Sequence, residues 1–196
     1  MVQETRKAFL LENHHCLGIF PRNVRRWRIG AGHEMLLKLA EELPLHASAE
    51  EVWKLLRDTP RLTSLLPGVE NVARLNEDGK EAYAARVNEK IGPFKITMNL
   101  NVCITETVEP SFLKATLHGA DSMGLNRMTG SMQVALSPGL SGTQLHFEAS
   151  IEVLGKLATL GAVPIRRRTT QVFAEFAKNI QGQFAPEMGS TSNSSD

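Results

Sequence analysis

The stretch 143-TQLHFEASIEV-153 alternates apolar and polar residues with a period of two. One set of alternating positions is apolar: Leu145, Phe147, Ala149, Ile151 and Val153. Successive side chains of a strand point to opposite faces, so this strand has one apolar and one polar face. An antiparallel sheet with one solvated face must bury the other against a covering element. The stretch therefore predicts a single sheet that is covered on one side.

The segment that follows, 155–184, supplies the covering element. Its apolar residues recur at helical spacing: Leu157, Leu160, Ile165, Val172, Phe173, Phe176 and Ile180. Pro164 should kink or divide the segment, because a proline inside a helix removes one hydrogen bond and clashes with the preceding turn. We expect a long C-terminal helix that lies across the apolar face of the sheet.

Upstream of the strands, the sequence predicts one strand and then two short helices. The strand is 35-MLLKLAEELPLH-46, and Ser48 with Glu51 forms a capping box that starts the first helix. Thr59 should cap the second helix, which ends at Pro67-Gly68. Its apolar residues Leu62, Leu65 and Leu66 share one helical face.

Six strand-like runs follow, joined by short turns. They are VENVARL (69–75), EAYAARVNEKI (81–91), FKITMNLNVCIT (94–105), FLKATLHG (112–119), RMTGSMQVAL (127–136) and the opening stretch. Short connections between alternating runs indicate antiparallel neighbours. The predicted fold is therefore α+β, with a seven-stranded curved antiparallel sheet, two short helices after strand 1 and a long C-terminal helix enclosing an apolar cavity. This arrangement is the helix-grip architecture.

Charge and composition divide the 196 residues into three parts. Residues 1–34 carry six Arg/Lys against three Glu and predict a flexible basic extension, or a misassigned start that precedes Met35. Residues 35–184 form the predicted domain, and 185–196 a disordered polar tail. Residues 35–185 carry sixteen charges of each sign, which argues against nucleic-acid binding.

The first twenty residues do not resemble a signal peptide, because Glu12, Asn13, His14 and His15 interrupt the apolar run. The sequence also contains no run of eighteen apolar residues that would span a membrane. We therefore predict a cytoplasmic protein, with peripheral contact at the inner face of the cytoplasmic membrane as an open alternative.

The run from Met35 to about Phe184 resembles the CoxG-like family, named for the G subunit of carbon monoxide dehydrogenase, within the SRPBCC, or START-like, helix-grip superfamily. The resemblance is carried by ASAEEVWKLLRD, LLPGVENV, IGPFKI, SGTQLHFEASIEVLGKLATLG and the terminal helix, in that order. It implies a non-catalytic accessory protein that holds an apolar ligand, a lipid or a quinone, and assists membrane recruitment or assembly of a molybdenum hydroxylase. The alternatives are a free-standing lipid or quinone carrier and a small-molecule hydrolase or cyclase.

A helix held against a curved sheet leaves a volume that can bind an apolar molecule. The predicted lining combines the residues of the second helix with aromatic, methionine and acidic residues: Trp53, Leu62, Leu65, Leu66, Glu89, Phe94, Met98, Met123, Met128, Met132, Phe147 and Phe173. Methionine adapts to irregular shapes, so the four methionines fit either a ligand or ordinary core packing.

Glu89 departs from the apolar pattern of its strand, and falls on the predicted inward face. A carboxylate there would need a partner, unless a bulge near the strand end lets it reach water, which is the interpretation we favour. The histidines do not converge on an acid or a nucleophile, and no metal-ligand spacing or phosphate loop is present. The sequence therefore predicts neither catalytic residues nor a metal or other obligatory cofactor.

Arg166, Arg167 and Arg168 form the one basic run of the predicted domain. They fit either the solvated face of the terminal helix or a docking site for an anionic membrane or an acidic partner. Three arginines are too few for stable attachment alone, since each contributes about 1 kcal/mol near a charged membrane. We expect any membrane contact to be transient.

Overall fold

The computed structural model describes residues 34–77 and 79–185, which form an α+β fold with one seven-stranded antiparallel sheet. The strands are β1 (Glu34–Leu45), β2 (Val69–Glu77), β3 (Lys80–Ile91), β4 (Phe94–Val108), β5 (Phe112–Ala120), β6 (Asn126–Gly139) and β7 (Gly142–Gly155). Their order in the sheet is β1-β7-β6-β5-β4-β3-β2. From β2 to β7 each strand pairs with the next in sequence, whereas β1 pairs with β7. The predicted fold class is confirmed. The predicted N-terminal extension, except Glu34, and the polar tail, except Ala185, lie outside the described residues.

Helices α1 (Ala49–Arg57) and α2 (Thr59–Leu65) follow β1. The Ser48 hydroxyl accepts the Glu51 amide at 3.3 Å, and the Glu51 carboxylate accepts the Ser48 amide at 2.9 Å, which confirms the capping box. The N-cap of α2 is Asp58 and not Thr59, because the Asp58 carboxylate accepts the Arg61 amide at 3.1 Å. Aspartate accepts this bond more readily than threonine, and Thr59 becomes the first helical residue.

The C-terminal segment is divided as expected, but the division lies at Gly161 and not at Pro164. A 3-10 helix (Lys156–Leu160) is followed by Gly161 and then by helix α3 (Ala162–Gln183). Gly161 has a φ of 82°, a left-handed conformation that separates the two helices. Pro164 lies in the first turn of α3, where its missing N–H costs no intrahelical hydrogen bond.

Two apolar clusters hold α3 to the sheet, one near each end of the helix. Ile165, in the first turns of α3, packs with Ile91 and Leu157. Ile180, near the end of α3, packs with Leu45 and with α1 and α2 residues in the second cluster. The inward positions of β7 follow the predicted alternation, since Leu145, Ala149 and Val153 are all buried and lie four residues apart, on one face of the strand. The helix is thus fixed at both ends, and the cavity lies beneath its first half.

Candidate ligand cavity

A cavity of about 310 Å³ lies between the first half of α3 and the inward face of the sheet. The sheet contributes mainly aliphatic and methionine side chains: Leu37, Leu39, Val69, Val87, Ile91, Ile96, Met98, Leu100, Leu117, Met128, Ala149, Ile151 and Val153. The helices and connections contribute Leu66, Pro67, Leu157, Ile165, Thr169 and Val172. The charged residues of the lining are Lys38, Glu89, Arg166 and Arg168. The site is therefore an apolar chamber with a small polar region under α3.

Four of the predicted ligand residues line this cavity: Leu66, Glu89, Met98 and Met128. Met98 is buried on β4. Met128 of β6 lies against the backbone of Gly119, where an added Cβ would approach the methionine Cγ to 2.7 Å. Because Gly119 has no side chain, Met128 can occupy this space and form part of the chamber wall.

The structure places the other eight predicted ligand residues away from this chamber. Trp53 and Leu65 belong to the core cluster around Ile180, while Leu62 is half-buried on α2. Phe147 stacks on Phe173, with ring centroids 5.8 Å apart. The remaining three are Phe94, exposed by 52%, Met123, exposed by 70%, and Met132, which lines a separate surface groove.

Most of the lining was not identified from the sequence. The alternation of β1, β4 and β7 shows which side chains face inward, but not how far along each strand the covering helix reaches. That depends on the pairing register, in which Leu37 lies opposite Ile151 and Leu100 opposite Gly119. Sequence periodicity identifies a face, and register selects the part of the face that forms the cavity.

Glu89 and Arg168 form an ion pair in the cavity wall. The Arg168 Nε–H donates to Glu89 Oε2 at 2.6 Å, and the two side chains are 26% (Arg168) and 15% (Glu89) exposed. Glu175, about two helical turns further along α3, lies 3.6 Å from the same guanidinium. The hydrogen bond to Glu89 raises the pKa of Arg168 above its already high value, so this arginine stays charged.

The preferred interpretation of Glu89, a bulge that lets it reach water, is wrong. The register of β3 with β4 runs without interruption from Ala82 opposite Cys103 to Ile91 opposite Phe94. The irregularity lies in β2, between Glu70 and Ala73. Glu89 instead points inward, and the alternative interpretation, a carboxylate with a partner, is the one the structure supports.

The connection from α2 to β2 forms one edge of the cavity, through Leu66 and Pro67. The next residue, Gly68, has a φ of 72°, and its carbonyl accepts the Asn88 amide at 2.8 Å. A Cβ at this position would lie 2.7 Å from both the Asn88 carbonyl oxygen and Glu89 Oε1. Pro67-Gly68 therefore does more than end a helix, because the glycine lets the chain pass directly over the Glu89 carboxylate.

The basic run divides between the surface and the cavity. Arg166 and Arg167 are exposed, whereas Arg168 turns inward to Glu89. The docking site for a membrane or partner stays a prediction, because these contacts lie within the domain. They do show that Arg168 has a structural partner of its own.

A second ion pair lies outside the cavity, between α1 and β3. Arg57 donates from both terminal nitrogens to Glu81, at 2.9 and 2.7 Å, and the Tyr83 hydroxyl donates to the same carboxylate at 2.5 Å. Burial raises the pKa of Glu81, but the hydrogen bonds from Arg57 and Tyr83 outweigh it and leave that pKa below its ordinary value. This pair fixes α1 to the sheet. Within 34–77 and 79–185, no group of three His, Cys, Asp or Glu residues could hold a metal ion.

A sequence profile of the family described as CoxG, the G subunit of carbon monoxide dehydrogenase, matches residues 42–185. This match covers most of the helix-grip fold and nearly all of the cavity lining. The chain belongs to the CoxG family. Membership places it among accessory-type subunits rather than among enzymes of known activity. A search of curated protein sequences finds no significant match to the chain.

Solved structures are similar to this CoxG family member over most of its length. A conserved protein from Geobacillus kaustophilus shares 25% identity with a TM-score of 0.65, over 77% of this chain and 95% of its own. A protein from Rhizobium leguminosarum shares 12% identity with a TM-score of 0.60, over 78% and 96%. The di-domain ARO/CYC StfQ from the steffimycin biosynthetic pathway shares 12% identity with a TM-score of 0.55, over 76% of this chain and 50% of its own. The last two likenesses support the fold alone.

The helices of this CoxG family member are α1, α2, the 3-10 helix and α3 within the described ranges. None of them combines the length and the apolar character that crossing a membrane requires.

Proposed function

We propose that this CoxG family member is a non-catalytic accessory protein that binds an apolar ligand, a lipid or a quinone, in the cavity under α3. In this role it would assist membrane recruitment or assembly of a molybdenum hydroxylase. The apolar cavity is the observation that supports the proposal most directly. At about 24 cal/mol per Å³, a dry cavity of 310 Å³ would cost roughly 7 kcal/mol. The stability of a whole domain is only about 5–15 kcal/mol, so a dry and empty chamber is disfavoured, and the apolar lining favours an apolar ligand over water as its occupant.

The chemistry of the lining favours a ligand with a long apolar body and one polar group. Apolar side chains surround most of the chamber, and Arg168 stands in its polar region. An arginine has five N–H groups, and one of them, on Nε, is bonded to Glu89. Nη1 lies 3.6 Å from Glu175, and Nη2 can donate to a carbonyl or hydroxyl oxygen that enters beside the pair. A lipid carbonyl and a quinone oxygen both fit this description.

Native mass spectrometry of the full chain, purified without detergent, tests ligand binding. We expect an adduct that organic solvent extracts and that reconstitution with a long-chain quinone or a phospholipid restores. Val172→Trp, in the cavity wall, should reduce the adduct because the indole occupies the chamber. Val108→Trp is the matched control, since Val108 is 51% exposed on β4 and is absent from the lining. A protein that carries no adduct and takes up neither probe would refute the proposal.

Recruitment of a hydroxylase needs a separate experiment. The proposal expects the full chain to co-purify with the large, medium and small subunits of a molybdenum hydroxylase from the same cell, and to raise the membrane-bound fraction of that enzyme. Ligand binding without any such association would favour the alternative, a free-standing lipid or quinone carrier. The apolar lining of the cavity is compatible with either role.

A hydrolase or cyclase on this fold receives less support from the site. The titratable side chains of the lining are Lys38, Glu89, Arg166 and Arg168, and Glu89 is bonded to Arg168. Among the residues that the structure describes, the lining contains no histidine, cysteine or serine that could act as a nucleophile or transfer protons near neutral pH.

A further inference from the structure

Four exposed apolar side chains lie at one end of the sheet. They are Phe94 (52% exposed), Met123 (70%), Leu125 (43%) and Val163 (80%), and we call them the apolar tip. Within the described ranges, only three other large apolar residues are comparably exposed: Leu36, Val108 and Leu140. Single exposed apolar residues are normal on proteins, but a group at one end indicates a contact surface.

The topology brings the apolar tip together. Phe94 follows the β3–β4 turn, Met123 and Leu125 lie in the β5–β6 loop, and Val163 lies in the first turn of α3. The Lys156 amide donates to the Leu125 carbonyl at 3.4 Å, which joins the β5–β6 loop to the 3-10 helix. Behind these segments, Ile91, Leu157 and Ile165 form a single buried cluster. The turn, the loop and the helix start therefore belong to one end of the fold.

The β5–β6 loop is held in a defined conformation. The Asp121 carboxylate accepts the Leu125 amide at 2.8 Å and the Asn126 side-chain amide at 2.5 Å. Asn126 in turn accepts the Leu157 amide through Oδ1 at 2.6 Å. Although burial raises the pKa of Asp121, these hydrogen bonds keep it below its ordinary value. The loop presents Met123 and Leu125 to the exterior, and its polar groups bond to one another.

Basic residues accompany the apolar tip. The segments 90–95, 121–127 and 156–167 carry six cations and one acid, Asp121, which is engaged within its loop. The cations are Lys90, Lys95, Arg127, Lys156, Arg166 and Arg167. Glu34 and Glu152 are also acids near this end, and with Asp121 they make three acids against the six cations. This end is cationic in a domain that is close to neutral.

We infer that this end of the sheet docks on an anionic lipid bilayer, with the apolar tip inserted among the headgroups and the six cations facing lipid phosphates. The inference deepens the proposed function, because the buried cluster behind the tip also lines the cavity through Ile91, Leu157 and Ile165. Charge complementarity selects the occupant: apolar side chains on turns, surrounded by Lys and Arg, suit a surface with an anionic exterior and an apolar interior. An apolar ligand would then enter or leave the chamber at the bilayer.

Vesicle flotation of the full chain at about 150 mM salt tests the surface. Vesicles of phosphatidylcholine with about 30% phosphatidylglycerol should bind the protein at least 10-fold more tightly than pure phosphatidylcholine, since each cation contributes about 5-fold near an anionic membrane. Replacing all four residues of the apolar tip by serine should weaken binding at least 10-fold. The matched control replaces Val108 and Leu140, which lie at the opposite end of the sheet, by serine and should bind like the parent protein.

All substituted positions are exposed, so the thermal unfolding of both variants should stay close to that of the parent. Retained binding of the apolar-tip variant would overturn the inference, as would an equal loss in the control variant or no binding by the parent chain. Native mass spectrometry on the same samples separates the two proposals. A bound apolar adduct without vesicle binding defeats only the docking surface, while vesicle binding without any adduct defeats only the ligand proposal.

Discussion

Breaking the Glu89–Arg168 pair from each side should have unequal effects on stability. Arg168→Met leaves the Glu89 carboxylate, 15% exposed, against an apolar chamber and beside the Gly68 backbone. Removing one partner of a buried pair costs about 3–5 kcal/mol. Because water reaches both groups in part, we expect a loss of about 2–3 kcal/mol in the free energy of unfolding.

Glu89→Leu should cost less, about 1 kcal/mol. Arg168 is 26% exposed, keeps Glu175 at 3.6 Å and can extend its guanidinium to water. The double variant removes both charges from the wall and should lie within about 1 kcal/mol of the parent protein, since an apolar replacement of a buried pair is often close to neutral. The expected coupling between the two positions is therefore about 2–4 kcal/mol.

Urea unfolding at neutral pH, followed by circular dichroism, measures all four free energies. Arg167→Met is the matched control, because Arg167 is the exposed neighbour of Arg168 and should change stability by less than about 0.5 kcal/mol. A coupling below about 0.5 kcal/mol, or equal losses from the two single substitutions, would refute our account of the cavity wall.

Three further predictions concern the scaffold. Gly68→Ala should lower the free energy of unfolding by about 2 kcal/mol or more, because the added methyl group would lie 2.7 Å from two oxygens. Gly79 has a similar φ but open space around it, so Gly79→Ala should lower the free energy of unfolding by only about 1 kcal/mol. Thermal unfolding of both variants measures the difference. The lowered pKa of Glu81 contributes stability that is present above the ordinary glutamate pKa of 4.5 and is lost as the pH falls through the folded-state pKa. The loss of stability on Glu81→Gln should therefore be largest near pH 7 and should shrink below about pH 4.5; a constant difference across this range would contradict it. Ser48→Ala should lower the free energy of unfolding by about 1 kcal/mol through loss of the capping box, and Ser48→Gly by only a few tenths.

The sequence was sufficient to predict the fold because its local patterns agree. Strand alternation, short turns and the Ser48–Glu51 capping box each indicate the same arrangement, and the structure has it. The candidate site was harder to predict. Met123 and Met128 are five residues apart and chemically identical, yet one is 70% exposed on a loop and the other lines the cavity.

Contacts between distant segments explain this difference. Arg168 lies 79 positions after Glu89. No local sequence pattern predicts that the first turns of α3 lie over this part of β3. From the sequence we expected aliphatic, methionine and aromatic side chains in the lining, whereas the described lining has aliphatic side chains and methionines but no aromatic residue. The position of each side chain along the sheet depended on strand register and on where α3 begins.

The pairing of β1 with β7 also limits when the ligand can be acquired. β1 is the first strand of the sheet to be synthesised. Leu39, near its middle, can pair with Ala149 only after the ribosome has added another 110 residues. β7 and α3 are the last described elements to be synthesised, and each supplies part of the chamber wall. A growing chain on the ribosome has neither, so the chamber does not yet exist. Under the proposed function, ligand loading is therefore a step that follows the synthesis of α3.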